Sequence, residues 1–328
     1  MAHCLVTGGA GFIGSHIVEG LLRRGHQVRV LDNFATGTTH NLRAVQQQLI
    51  AEGLTFSLEV VQGSVVEPPI VSAAMTNIDY VFHQAALPSV AFSLRDPWLS
   101  NRVNVEGTLC ILRAACDAGV KRVMYAGSSS AYGDSPSLPK RETDPPNPLS
   151  PYAVAKLTGE HYCRVFTQLY GLETVVLRYF NVFGARQNPA SQYAAVIPRF
   201  ITTLLQGAPL RIYGDGQQSR DFTHVDNVVY GNILAMTAPD VAGEVVNLAN
   251  GGRTSLLQLV TYLEERSRLS ARVEFLPARA GDVPHSQADV RRARKLLGFE
   301  PQVDIQEGLQ RTLAYYRHRS HDSVLTAV

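Results

Sequence analysis

Tyr152 and Lys156, in Tyr152-Ala153-Val154-Ala155-Lys156, stand four residues apart and could move a proton together. On a helix that spacing puts a phenol and an ammonium on one face, one turn apart. A tyrosine hydroxyl in water has a pKa of about 10 and is a poor base near neutrality, so a neighbouring cation that favours its ionised form would make it useful. Pro148-Leu149-Ser150-Pro151 reads as the start of that helix. Upstream, Ala126-Gly127-Ser128-Ser129-Ser130-Ala131-Tyr132-Gly133 closes a strand with three hydroxyls able to hold a substrate hydroxyl. Serine runs also form plain turns, so Ser128 and Ser129 both stand as candidates here.

A second constellation lies near the N-terminus. Thr7-Gly8-Gly9-Ala10-Gly11-Phe12-Ile13-Gly14 follows an apolar strand and opens a helix, so backbone amides and the helix dipole can face a pyrophosphate. Asp32 ends the next strand, in Val30-Leu31-Asp32-Asn33, where a carboxylate can accept both hydroxyls of an adenosine ribose and repel a 2′-phosphate. The sequence therefore points to NAD as cofactor, and Arg29 lies too far back along the strand to favour NADP. With NAD bound, the positive nicotinamide adds to Lys156 in favouring the Tyr152 phenolate, and Lys156 is expected to bind the nicotinamide ribose as well.

These groups need a rigid frame. Apolar runs with strand character occur at 3–7, 27–31, 58–62, 80–84, 122–126 and 173–179, with helix-like segments between most of them. The runs look buried on both faces, which predicts a Rossmann-like, doubly wound α/β fold with a parallel sheet. After about residue 180 the rhythm shifts to loops at 184–192 and 213–220 and a helix-like 256–266, which reads as a second, smaller substrate-binding α/β lobe. Segments 226–237 and 244–248 can return the chain to the first lobe. The expected division is 1–178 with about 221–250 for the cofactor, 179–220 with about 251–320 for the substrate, and 321–328 as a frayed tail.

Bulk properties exclude several classes. With 45% apolar and 18% charged residues, the 328-residue chain can build an ordinary core. Its 30 Lys+Arg against 28 Asp+Glu leave a net charge of +2 with no block of like charge, so no nucleic-acid partner is expected. Cys4, Cys110, Cys116 and Cys163 lack a Cys-x-x-Cys spacing, which predicts no metal site, no disulfide framework and a reducing cytoplasm. No run reaches about 18 apolar residues and the first is too short for a signal peptide, so no membrane association is expected.

The spacing Gly8-x-x-Gly11-x-x-Gly14, rather than the commoner Gly-x-Gly-x-x-Gly, resembles the short-chain dehydrogenase/reductase superfamily. So do Gly63-Ser64-Val65, Asp79-Tyr80-Val81-Phe82-His83-Gln84-Ala85-Ala86, Asn104-Val105-Glu106-Gly107-Thr108 and Arg178-Tyr179-Phe180-Asn181-Val182-Phe183-Gly184. From about residue 2 to about residue 315 the chain is similar to extended members of the UDP-sugar 4-epimerase type, most closely UDP-N-acetylglucosamine 4-epimerases. The resemblance implies NAD contacts from Gly8, Gly11, Phe12, Ile13, Gly14, Asp32, Asn33, Gly37, Ser64, Val65, Gln84, Ala85, Ala86, Asn104, Tyr152, Lys156 and Tyr179. At position 64 the family usually carries Asp, so Ser64 departs from the pattern. Ser128 aligns with the catalytic Ser/Thr beside Tyr152 and Lys156, with Ser129 as the close rival. For the substrate the resemblance implies Ser89 and Ser93 beside the sugar, Asn181 on the diphosphate or sugar, and a substrate loop at Tyr213. Ala195 and Val196 would wall the uracil, Arg220 and Arg279 would grip the diphosphate, and Asp282 would accept from the uridine ribose. Ser286 stands where a small residue admits a 2-N-acetyl group.

The implied activity is NAD-dependent 4-epimerisation of a UDP-sugar through a 4-keto intermediate. Nucleotide-sugar dehydratases place Asp-Glu, and related decarboxylases commonly a Glu, where this chain has Ser129 and Ser130. The alternatives are a UDP-glucuronate 4-epimerase, a UDP-sugar dehydrogenase or decarboxylase and, from another class, a non-catalytic NAD-binding sensor or scaffold. Stretches 105–118 and 152–170 resemble helices that pair between subunits, which predicts a homodimer.

Overall fold

The six apolar runs become strands β1 (His3–Thr7), β2 (Gln27–Asp32), β3 (Ser57–Gln62), β4 (Tyr80–His83), β5 (Arg122–Ser128) and β6 (Glu173–Tyr179). The computed structural model describes residues 1–189, 195–278 and 283–325. Short strands follow: β7 (Val182–Phe183), β8 (Leu210–Tyr213), β9 (Ser219–Arg220), β10 (Thr223–His224), β11 (Glu244–Leu248), β12 (Thr254–Ser255) and β13 (Val273–Leu276). A seven-stranded sheet in the order β11-β6-β5-β4-β1-β2-β3 forms the frame, and every pairing in it is parallel. Its inner strands bury both faces and need helices above and below, whereas the edge strand β3 is largely exposed.

The helices of the first half are α1 (Phe12–Leu22), α2 (Thr39–Ala51), α3 (Pro68–Ala74), α4 (Val90–Arg95), α5 (Pro97–Asn101), α6 (Gly107–Asp117) and α7 (Pro151–Tyr170). Those of the second half are α8 (Val196–Leu205), α9 (Val225–Thr237), α10 (Leu256–Ser267), α11 (Arg291–Leu297) and α12 (Ile305–Leu325). Local chemistry sets their ends. Ser150 caps α7 by accepting from the Ala153 amide at 3.2 Å, Pro151 sits in its first turn, and Gly171 ends it in a left-handed conformation. The last helix carries helical backbone into the stretch 321–328, for which the sequence offers no partner.

One face of the sheet packs Ile17, Val18 and Leu21 of α1 and Val228 and Ala235 of α9; the other packs Ile111 and Leu112 of α6 and Cys163 and Phe166 of α7. Three fully buried aliphatic side chains on α1 contribute about 5 kcal/mol or more, whereas the part-exposed Arg23–Glu19 pair is worth at most about 1 kcal/mol. Apolar packing, not surface charge, therefore fixes the helix that opens the cofactor loop.

A separate apolar cluster of Phe183, Ile197, Phe200, Ile212, Phe222, Leu259 and Leu309 forms the smaller lobe. After it begins, α9 and β11 rejoin the large sheet. The stretch 251–320, expected wholly in the smaller lobe, divides: Ala293 and Leu297 of α11, with Phe299, lie in the core beside the large sheet. The reason is amphipathic packing of α11 against α9 and β11.

Asp221 ties the lobes together. It is fully buried, and its carboxylate accepts from the amides of Asn250 (3.1 Å), Gly251 (3.0 Å) and Ala288 (3.1 Å). Burial pushes the carboxyl up to about 7 although all three donors favour its ionised form. Replacing one oxygen by NH2 sets a donor against a donor. Asp221→Asn is expected to lose about 1–3 kcal/mol of stability in urea unfolding, and an unchanged midpoint would contradict the clamp.

Candidate active site

Chain crossovers after β1 and β4 leave in opposite directions, and a crevice opens at the carboxyl ends of those strands. Gly8 lines it with φ +67°, and a Cβ there would meet the Ala85 amide nitrogen at 2.7 Å. A Cβ on Gly14 would lie 2.1 Å from the Gly8 carbonyl oxygen. The turn and the segment Gln84-Ala85-Ala86 thus pack backbone to backbone. Helix α1 has neither a side-chain cap nor an acid in its first turn, so the amides around Phe12 and Ile13 are left for an anion.

Asp32 is buried, and it does more than the sequence suggests. Its Oδ2 accepts from the Ala10 amide (2.9 Å) and its Oδ1 from Phe34 (2.8 Å), so it anchors the glycine loop while each oxygen keeps a lone pair for a ribose hydroxyl. Gly37 presses on the same loop, since a Cβ would come 2.7 Å from the Ala10 carbonyl carbon. Asn33 shapes the adjoining turn by accepting from Ala35 (3.1 Å). Arg29 is held by Glu59 and by the carbonyls of Ala74 and Thr76, so it offers nothing to a 2′-phosphate. Ser64 accepts from Val66 and gives its amide to Glu67 (2.8 Å), and Val65 packs against Gly107. A glycine cradle with open amides beside a ribose-facing carboxylate fits NAD.

Two residues expected at the cofactor also bond within the frame. Asn104 is buried in a π-helical turn (Arg102–Glu106), where its amide group bonds the Leu87 amide (2.9 Å) and carbonyl (3.2 Å). It thereby fixes the loop around Leu87. The Tyr179 hydroxyl is taken by Gln84 (3.1 Å) and Asn232 (2.9 Å). Behind them a buried His83 bridges Thr7 (2.7 Å) and Thr108 (3.1 Å), and burial pushes the imidazole down to about 3, hence neutral.

Tyr152 lies in the first turn of α7, and its amide donates to Ser93 Oγ at 3.1 Å. Ser93 is fully buried and also donates to the Val90 carbonyl, so it secures the start of α7. Ser89 caps α4 by accepting from Phe92 (3.0 Å). Ser128 ends β5 and accepts from both the amide (3.2 Å) and the hydroxyl (2.9 Å) of Ser130. With two donors aimed at its oxygen, the Ser128 proton points outward, toward Tyr152 or a ligand. That favours Ser128 over its neighbour Ser129, which is half-buried in the following 3-10 turn.

Lys156 is buried beneath this pair. Its Nζ donates to the Ala126 carbonyl (3.0 Å) and lies 5.0 Å from the centroid of the Tyr125 ring. Burial pushes the ammonium down to about 8, with Glu160 acting in the opposite direction. Burial acts on Tyr152 as well and raises its phenol, with Ser128 acting in the opposite direction. Two desolvated groups move toward neutrality, so a further positive charge is needed to ionise the phenol.

Four residues expected at the nucleotide meet in the smaller lobe: Asn181, Ala195, Val196 and Arg220 line one cavity of about 210 Å³ with Phe183 and Phe222. Asn181 has φ +34° and donates to the Asp221 carbonyl (3.2 Å). Arg220 bonds the carbonyls of Ser219 (3.0 Å) and Pro284 (3.1 Å), and the Ser286 amide donates to Ser219 (3.0 Å), so Ser286 borders the same strand. Tyr213 ends β8, and its carbonyl accepts from Gln218 (2.6 Å). Arg279 and Asp282 lie outside the described residues. Among the described residues no three of His, Cys, Asp or Glu group to hold a metal, and no helix is long and apolar enough to cross a membrane.

Residues 4–249 match the NAD dependent epimerase/dehydratase family, and the chain belongs to it; its cofactor is NAD. It is similar to the UDP-glucose 4-epimerase of Mycolicibacterium smegmatis, 37% identical over 96% of this chain and 99% of that one. It also resembles the solved UDP-N-acetylglucosamine 4-epimerase of Methanobrevibacter ruminantium (35% identity, TM-score 0.90), covering 97% and 99% of the two chains. The same coverage holds for UDP-glucuronic acid 4-epimerase of Bacillus cereus with UDP-glucuronic acid and NAD, at 33% identity and a TM-score of 0.87. The chain is an NAD-dependent isomerase of this epimerase group.

Lys156 generates a pH-dependent expectation. Its folded midpoint of about 8 lies below the ordinary 10.5, so the unfolded chain holds the extra proton between those values and folding gains as pH rises. Below about pH 8 the full penalty applies. Lys156→Met should therefore raise stability on the order of 1 kcal/mol at pH 7, with the gain shrinking toward pH 10.5. A variant equally stable relative to the parent at both ends of that range in thermal unfolding would contradict the burial argument.

Proposed function

We propose that this chain interconverts the C4 epimers of a UDP-sugar, favouring UDP-N-acetylglucosamine and UDP-N-acetylgalactosamine and also accepting UDP-glucose and UDP-galactose. The observation that carries this reading is Tyr152 in the first turn of α7, one turn before a buried Lys156 that the Ala126 carbonyl holds two residues ahead of Ser128. Bound NAD supplies a hydride store that takes hydride from C4 and returns it. Ser128 orients the sugar 4-hydroxyl and passes its proton to Tyr152, or Tyr152 takes it directly. Lys156 binds the nicotinamide ribose and keeps positive charge under the phenol.

The resulting 4-keto sugar turns about its diphosphate tether and presents its other face, and Tyr152 returns the proton as the carbonyl is reduced. Turning requires a firmly held uridine diphosphate and a weakly held sugar. Asn181, Ala195, Val196 and Arg220 around one cavity supply the firm end, and Arg279 and Asp282 are assigned to the diphosphate and the uridine ribose. Small Ser286 leaves room for a 2-N-acetyl group. Ser129 and Ser130 place no carboxylate beside Ser128, which favours epimerisation over dehydration or decarboxylation.

Incubation with NAD and each of UDP-N-acetylglucosamine, UDP-glucose and UDP-glucuronate, followed by proton NMR, tests the reading. The expected result is epimerised UDP-N-acetylglucosamine without net NADH or carbon dioxide, and a loss of about 10²–10⁴ in kcat for Tyr152→Phe with NAD still bound. All three sugars unchanged would favour the sensor or scaffold; stoichiometric NADH or carbon dioxide would indicate a dehydrogenase or decarboxylase.

A homodimer in a reducing cytoplasm is part of the proposal. Leu109 of α6 and Val154, Val165 and Leu169 of α7 expose apolar side chains on the two helices expected to pair, and the four cysteines are free thiols. Sedimentation equilibrium is expected to give twice the 35.8 kDa chain mass, and a monomer at micromolar concentration would reject the pairing.

A further inference from the structure

One turn beyond Lys156, α7 carries Glu160, whose side chain is 4% exposed. Arg178 of β6, 5% exposed, grips it: Nε lies 3.0 and 3.1 Å from the two carboxylate oxygens and Nη2 lies 2.7 Å from one of them. The guanidinium carbon rests 4.7 Å from the centroid of the Tyr132 ring. An ion pair buried this deeply is a poor stabiliser, because desolvation offsets the attraction and an apolar pair of similar shape is often as stable. Its location supplies another reason for it.

Arg178 faces Gly127 in the β5–β6 register, beside the facing pair Ser128 and Tyr179. Gly127 packs on the acid, since a Cβ there would lie 3.2 Å from Glu160 Oε1. The ion pair thereby bolts β6, and through its pairing the end of β5 that bears Ser128, to the helix bearing Tyr152 and Lys156. The groups around Lys156 identify its counter-charge. On α7 these are Glu160 and Cys163, on β4 His83 and on β5 Tyr125, with Arg178 of β6 holding Glu160. Burial keeps Cys163 and Tyr125 protonated and His83 neutral. Arg95, Arg102 and Glu106 on the adjoining helical segments are exposed. Glu160 is the negative charge left facing Lys156, and it opposes the push of burial toward the neutral amine.

We propose that Glu160 and Arg178 form a positioning pair for the proton-transfer site, holding Ser128 and Tyr152 at a fixed spacing and keeping Lys156 cationic beneath them. The inference rests on Tyr152 and Lys156 being the proton-transfer machinery.

The sequence contains only four lysines, Lys121, Lys140, Lys156 and Lys295, so 13C-labelled lysine gives a spectrum in which Lys156 can be titrated directly. In the NAD-bound protein without sugar, Glu160→Gln is expected to lower the Lys156 midpoint, with about tenfold weaker proton affinity. Mere loosening of the structure would admit water and move the midpoint up, toward the ordinary lysine value. An unchanged or raised midpoint therefore overturns the proposal. Should the single variant not fold, the double variant Glu160→Gln with Arg178→Gln keeps hydrogen bonding without an unpaired charge and carries the same expectation and the same refutation. Because no sugar is present, this outcome is independent of whether a UDP-sugar is the substrate.

Discussion

Everything in this molecule turns on the desolvation of a phenol and an ammonium held one helical turn apart. Burial raises Tyr152 and lowers Lys156, so each is driven toward its uncharged form, and the cofactor-free site holds a protonated phenol. A pyridinium bound in the same low-dielectric crevice acts on the phenol more strongly than it could in water. The fold keeps those positions rigid. Ser93 holds the Tyr152 amide, the Ala126 carbonyl holds Lys156, and Gly159 lets α7 approach the Tyr125 hydroxyl, which a Cβ would meet at 2.1 Å. Hydroxyls at the end of β5 then converge where a sugar carbinol would lie.

The smaller lobe has an opposite task. A site that binds one epimer tightly cannot let its ketone turn over, so binding free energy has to come from the part of the substrate that does not react. The cavity of Asn181, Ala195, Val196 and Arg220 is built on Phe183, Phe222 and the Asp221 clamp, away from the serines of β5. That clamp joins the strand region lining the cavity to the segments after β11 and around Ala288. Rigid ends with a loosely contacted middle are what the proposed chemistry asks of this chain.

Features that depend on neighbours in sequence were readable from it. The glycine turn, Asp32 at the end of β2, the Tyr152–Lys156 spacing and the Ser150-Pro151 helix start all follow from local geometry, and the sheet strands follow from apolar runs. Features made by distant partners were not. Ser93 and Tyr152 are 59 residues apart, Thr7 and His83 are 76 apart, and Asp221 reaches Ala288 across 67. The motif of Asn104 is local, but the bond of its side chain to Leu87, 17 residues back, is not. A polar histidine inside the apolar run 80–84 and an acid one turn past Lys156 were visible signals for His83 and Glu160, but only the packed sheet shows what they meet.

Ultraviolet titration of tyrosinate, with Tyr152→Phe as the blank, measures the central electrostatic claim without any sugar. The account expects Tyr152 to titrate above the ordinary tyrosine value in the cofactor-free protein and to fall when NAD binds. An identical midpoint with and without NAD would contradict it.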